Sequence, residues 1–173
     1  MEIRRARVEE IPRLLALIRR YWDFEGIEGF AALRIELVLK ELLAHPTERG
    51  WVWVADSHGA LIGYLIVVLV MSVEHQGLMG EIDELFVLPE ARSQGAGAAL
   101  LAAAEAELLQ CGCVRLQLQL AHGNTRARAF YEGSGLPRVP AMLSSTKLCD
   151  ELPQRTRPGV ILRLVTTTNS RDS

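Results

Sequence analysis

Arg92, Gly95 and Gly97 stand in the spacing Arg-x-x-Gly-x-Gly, shortly after Pro89. Before them, Leu85 to Leu88 is a short apolar run of strand character. Proline cannot donate to a sheet ladder, so the strand stops there. After them, Ala98 to Gln110 is rich in Ala, Leu and Glu and has high helix propensity. A strand, a glycine loop and a helix start place backbone N–H groups at the positive end of a helix dipole. That is an anion site, and phosphates are its usual guests. Without a Cβ at Gly95 and Gly97, main-chain amides can approach a pyrophosphate closely. Upstream, Glu81, Asp83 and Glu84 cluster where this strand is expected to begin. Alternation puts Glu81 and Asp83 on one face and Glu84 on the other, unless a bulge intervenes. Carboxylates so placed can take a proton or attract a cation.

The loop excludes two common phosphate sites. It lacks Gly-x-x-x-x-Gly-Lys-[Ser/Thr], which disfavours a P-loop nucleotide site. It also lacks Gly-x-Gly-x-x-Gly with an acid about 20 positions later, which disfavours a dinucleotide fold.

The elements that must position these groups follow from periodicity. Ile3 to Ala6 reads as a short strand. Val8 to Trp22 carries apolar residues at Val8, Ile11, Leu14, Leu15, Ile18 and Trp22, a helical spacing, with Pro12 tolerated in the first turns. Asp23 to Gly29, with its glycines and acids, predicts a loop, and Ala31 to Ala44 a second helix ended by His45-Pro46. Trp51 to Asp56, the turn Ser57-His58-Gly59 and the strand Leu61 to Val70 predict a hairpin. Ser72 to Gly80 reads as a loop into the key strand. Val114 to Leu120 alternates and predicts the next strand, and Asn124 to Glu132 a helix ended by Gly133 and Gly135. Asp150 to Pro158 is a charged link, Val160 to Val165 a last strand, and Thr166 to Ser173 a polar tail. Strands with interleaved helices and a hairpin before the key strand suit a mixed α/β or α+β sheet.

Two motifs in this order carry a family resemblance. Arg92-x-x-Gly95-x-Gly97 resembles the [Arg/Gln]-x-x-Gly-x-[Gly/Ala] loop of the GNAT superfamily, the acetyl-CoA-dependent N-acetyltransferases. Downstream, Asn124-Thr125-Arg126-Ala127-Arg128-Ala129-Phe130-Tyr131 is similar to the family's Asn-x-x-Ala-x-x-Phe-Tyr helix, with Gly135-Leu136 where Gly-Phe is commoner. The resemblance covers roughly residues 2 to 148. It implies a single-domain GNAT-like fold: a mixed, mostly antiparallel sheet of about six or seven strands flanked by helices. It also implies that the glycine-loop strand and the Val114 strand splay apart to admit acetyl-CoA. The domain is expected over residues 1–149, with 150–173 as an extension.

From that resemblance follow the roles. The backbone of Arg92, Ser93, Gln94, Gly95, Ala96 and Gly97 is expected to bind the pyrophosphate, with the Arg92 side chain adding charge. Leu85, Phe86 and Val87 would line the pantetheine arm, with Val87 main-chain groups holding the acetyl carbonyl. Asn124, Ala127, Phe130 and Tyr131 would complete the coenzyme site. Asn124 is also suited to cap its helix. Tyr131 is nominated as the acid for the leaving thiolate, because a phenol of pKa near 10 stays protonated at neutral pH. The base for the amine is expected among Glu84, Asp83 and Glu81, in that order. Acceptor specificity is expected from the Tyr21 to Phe30 region and the Ser72 to Gly80 loop, where Asp23, Glu25 and Glu28 favour a cationic amine. A non-catalytic acyl-CoA-binding sensor or interaction module is the alternative reading.

Bulk properties bound the partners. A chain of 173 residues with 49% hydrophobic and 23% charged content is an ordinary globular domain. Its net charge of −2 announces neither a nucleic acid nor a membrane partner. Three cysteines do not form a disulfide framework, and Cys111-Gly112-Cys113 is too close-set for a zinc site. No metal is expected: His45, His58 and His75 fall in turns or loops, and His122 reads as a surface group at a strand end. The apolar run Leu61 to Met71 is far short of a membrane helix, and no signal peptide is visible. A cytoplasmic protein acting on a small-molecule or protein amine is expected, with a homodimer as the default assembly.

Overall fold

The computed structural model describes residues 1–121, 124–133 and 162–167. Six strands form one sheet in chain order: β1 (Glu2–Arg5), β2 (Gly50–Ser57), β3 (Ala60–Ser72), β4 (Gly77–Val87), β5 (Arg115–Ala121) and β6 (Leu162–Thr167). Interleaved with them are the helices α1 (Ile11–Glu25), α2 (Ala32–Ala44), the short α3 (Pro46–Arg49), α4 (Ala96–Gln110) and α5 (Thr125–Gly133). The pairs β1/β2 and β2/β3 are antiparallel, whereas β4/β5 and β5/β6 are parallel. This is the mixed sheet flanked by helices that the resemblance implies. The chain divides into two compact units, residues 1–69 with 83–104 and residues 70–82 with 105–173.

In the first unit the helical spacing of α1 buries Ile11, Leu14, Leu17 and Ile18. They pack with Leu39 and Leu42 of α2, Val52 and Val54 of β2, Tyr64 and Ile66 of β3, and Phe86 of β4. Val8, expected on the apolar face of the helix, is 51% exposed, because a 3-10 turn over Val8–Glu10 precedes α1. Pro12 falls in the first turn of α1, where no N–H is needed. At its other end α1 runs on to Glu25, so Asp23 to Glu25 are helical and not loop. Their side chains do not oppose a helix, and the first residue that does is Gly26, left-handed at φ 67°. Between β2 and β3, His58 (φ 53°) and Gly59 (φ 83°) are both left-handed, the backbone of a tight two-residue hairpin turn. The Asp56 carboxylate accepts the Gly59 N–H at 2.8 Å.

In the second unit the parallel ladder of β4 and β5 runs from Met79↔Arg115 to Ile82↔Leu118, and both strands continue past the last pair. The loop expected over Ser72 to Gly80 is mostly strand: β3 continues to Ser72, β4 starts at Gly77, and only residues 73–76 turn. Gly77 marks a close approach here. A Cβ on it would lie 2.8 Å from Val114 Cγ1. Glu81, Asp83 and Glu84 therefore sit well inside β4 and not at its start. Past α4, Gly112 (φ 71°) turns the chain, leaving Cys111 exposed and Cys113 buried. Of the last strand expected over Val160 to Val165, residues 160 and 161 lie outside the described residues, and β6 runs on to Thr167. The boundary expected at 149/150 and the link Asp150 to Pro158 lie outside the described residues, as do His122 and Gly135-Leu136. Among the described residues, no helix is long and apolar enough to cross a membrane.

Candidate functional site

The glycine loop is built by short local bonds. Leu88 N–H donates to Ile62 O at 2.9 Å, tying the end of β4 to β3. Pro89–Ala91 forms a 3-10 turn, closed by Ala91 N–H to Leu88 O at 2.9 Å. Ser93 (φ 63°) and Gly95 (φ 81°) are both left-handed, and α4 starts immediately afterwards at Ala96, two residues earlier than expected. Gly97 thus lies in the first helical turn. The first helical bond is donated by Ala99 to Gly95 O at 3.0 Å. The amides of Gly95, Ala96, Gly97 and Ala98 donate to no acceptor among the described residues, as the start of a helix dictates. At Gly95 the left-handed backbone is what calls for glycine, since an added Cβ would meet nothing within 4 Å. Ser93, Gln94 and Gly95 are exposed, and Ala96 is buried. Open N–H groups at the start of a helix are suited to an anion.

Arg92 is turned toward the strand and α1. Its Nε donates to Val87 O at 2.9 Å, and its guanidinium carbon lies 4.7 Å from the Phe24 ring centroid and 5.7 Å from that of Phe86. Phe86 in turn gathers Tyr21 at 5.7 Å, Tyr64 at 6.2 Å and Phe24 at 6.4 Å, centroid to centroid. Leu85 and Val87 are half-buried beside it.

The three carboxylates of β4 have separate surroundings. Glu84 is bound on both oxygens: Trp22 Nε1 donates to Oε1 at 2.8 Å, and the Tyr64 hydroxyl to Oε2 at 2.7 Å. Burial raises its pKa, aided by the Asp83 charge, against the lowering effect of the two hydrogen bonds. The Tyr64 and Tyr21 phenols are pushed up as well, first by burial and then by the Glu84 charge. Glu81 instead accepts from Gln117 at 3.2 Å and Gln119 at 3.0 Å, both on β5. Asp83 is exposed. Alternation thus holds, with Glu84 on the face of Ile82 and Phe86. Trp22 and Tyr64 were not anticipated as partners of Glu84. A phenol inside the apolar run Leu61 to Met71, which needs a hydrogen-bond partner when buried, was the available signal.

In the second unit, Asn124 Oδ1 accepts the Ala127 N–H at 3.0 Å, the expected helix cap. Tyr131 is buried, with its ring edge-on to Phe130 at 5.0 Å. Among the described residues no group of three or more His, Cys, Asp and Glu side chains is placed to hold a metal ion.

Comparison with known proteins yields consistent matches. Residues 11–136 match the family described as "Acetyltransferase (GNAT) family". The chain is 30% identical over 142 residues to the "Uncharacterized N-acetyltransferase YhfO" of Bacillus subtilis, covering 78% of this chain and 89% of that one. It is 30% identical to the "Aminoalkylphosphonate N-acetyltransferase" of Salmonella typhimurium over 139 residues, covering 78% and 83%. Among solved structures, a "predicted acetyltransferase with acetyl-CoA" from Clostridium acetobutylicum superposes with TM-score 0.67 at 18% identity, covering 83% and 94%.

Proposed function

The chain belongs to the acetyltransferase (GNAT) family, and from that premise we propose that it moves the acetyl group of acetyl-CoA onto a primary amine of a small molecule or protein. N-acetyl transfer is the chemistry carried in the names of its relatives. The observation that supports acetyl-CoA as donor is the set of open amides from Gly95 to Ala98 at the start of α4. Acetyl-CoA supplies the acyl group as a thioester. The backbone of residues 92–97 binds its diphosphate, and Leu85, Phe86 and Val87 line the pantetheine arm with Asn124, Ala127 and Phe130.

Glu84 takes a proton from the acceptor ammonium, directly or through a water, freeing the nitrogen lone pair to attack the acetyl carbon. A carboxylate whose burial raises its pKa suits that task at neutral pH. As the C–S bond breaks, Tyr131 gives its phenolic proton to the thiolate and recovers one from the newly acylated nitrogen. Amide, thiol and one released proton balance the equation. Asp83 and Glu81 are second and third choices as base, and their charge also favours a cationic acceptor. The reading takes the catalytic domain as residues 1–149.

Calorimetry with acetyl-CoA, followed by thiol release against a panel of primary amines, tests this. Micromolar to sub-millimolar binding with amine-dependent release is expected. No binding at millimolar acetyl-CoA would remove the reading, and binding without release from any amine would replace it with a non-catalytic acyl-CoA-binding module.

A further inference from the structure

We infer that Trp22 and Tyr64 are positioning residues for proton removal from the acceptor amine, holding the Glu84 carboxylate at one orientation and in its charged form. The inference rests on the proposed role of Glu84 as base. Glu84 stands where three elements meet: Trp22 comes from α1, Tyr64 from β3 and Glu84 itself from β4. One donor on each oxygen, at 2.8 and 2.7 Å, fixes the rotation of the carboxylate. Each oxygen still has capacity for a further bond, so a proton can be received without breaking the set. Both donors are themselves held. Tyr64 is fully buried, and the Trp22 indole lies edge-on to Phe30 at 5.5 Å. The arrangement favours charge: one N–H and one O–H donor converge on a carboxylate that, when ionised, only accepts.

The groups that face this carboxylate act in opposite directions. Asp83, its neighbour on β4, adds negative charge, and Tyr21 of α1 lies in the same electrostatic field together with Glu25. Burial and this charge favour the neutral carboxyl, whereas Trp22 and Tyr64 favour the anion. Losing either donor therefore lets Glu84 keep its proton to higher pH, where it no longer serves as a base.

The test uses the full chain with Tyr64→Phe, Trp22→Phe and Glu84→Gln. Two quantities are measured: the pH dependence of kcat/KM for amine-dependent thiol release, and the Glu84 carboxyl titration by carbon-13 NMR, assigned from its loss in Glu84→Gln. In each aromatic variant the acidic limb and the NMR titration are expected to move up by about one pH unit. Acetyl-CoA affinity should change less than twofold. A uniform loss of rate with neither limb nor titration displaced would overturn the inference, because that is what a purely structural contact gives. Wild-type turnover in Glu84→Gln would instead remove Glu84 as base, and the inference with it, while leaving acetyl transfer itself standing. Should Trp22→Phe not fold, Tyr64→Phe carries the same test alone.

Discussion

Tyr131 and Glu84 pose the sharpest questions at the level of single side chains. Tyr131, the proposed acid for the departing thiolate, is buried with its ring edge-on to Phe130. Tyr131→Phe is expected to lower kcat by roughly 10²-fold or more while acetyl-CoA affinity stays close to wild type. An unchanged kcat, measured by thiol release at saturating donor, retires the acid. How far such details could be read from the chain depended on distance along it. The Asn124 cap reaches only to Ala127, three residues on, so type and spacing sufficed. The Glu84 bonds span 62 residues to Trp22 and 20 to Tyr64, and nothing local in the sequence brings those partners together. The same reason separates Glu81 from its neighbours: its glutamine partners lie on β5, 36 and 38 residues away.

Helix ends and strand starts are where periodicity and structure diverge. α1 outlasts its expected end by three residues because Gly26, not the acids before it, supplies the left-handed stop. Gly77, read as loop, is strand because its bare Cα makes room for Val114. The strand–loop–helix order around Arg92, by contrast, was visible, since proline and glycine punctuate it. That loop makes its own prediction. Gly95→Ala meets no atom within 4 Å but must hold φ near 81°, at a cost of about 1 kcal/mol; where the free loop relaxes out of that conformation, acetyl-CoA binding is expected to weaken by up to about fivefold. The β-branched Gly95→Val should weaken it further. Calorimetry giving a wild-type Kd for the valine variant would contradict the assignment of the loop.

For the molecule as a whole, the fold class and element order could be read from the chain, while the ionic links inside its first unit could not. Arg4 grips Glu10 through both oxygens, at 2.8 and 2.7 Å, and Asp56 at 2.6 Å. The Arg4 hydrogen bond depresses the Glu10 pKa, and it does the same for Asp56. A depressed folded pKa gives stability that is present above the unfolded value, about 4.3 for a glutamate, and is lost as pH falls through the folded one. Glu84 has the opposite sign: its raised pKa costs stability as pH climbs from the unfolded value through the folded one. Thermal melts of Glu10→Gln across acid pH should therefore lie below wild type near neutrality and converge with it below about pH 4. A constant gap at every pH would refute the ionic account. Where β2 begins, Gly50 sits at φ 143°, and a methyl there would overlap the Val67 carbonyl oxygen. A saturation library at that codon, sorted for folded product, would collapse to a single letter, making it a natural control for judging how forgiving any other position of this protein is.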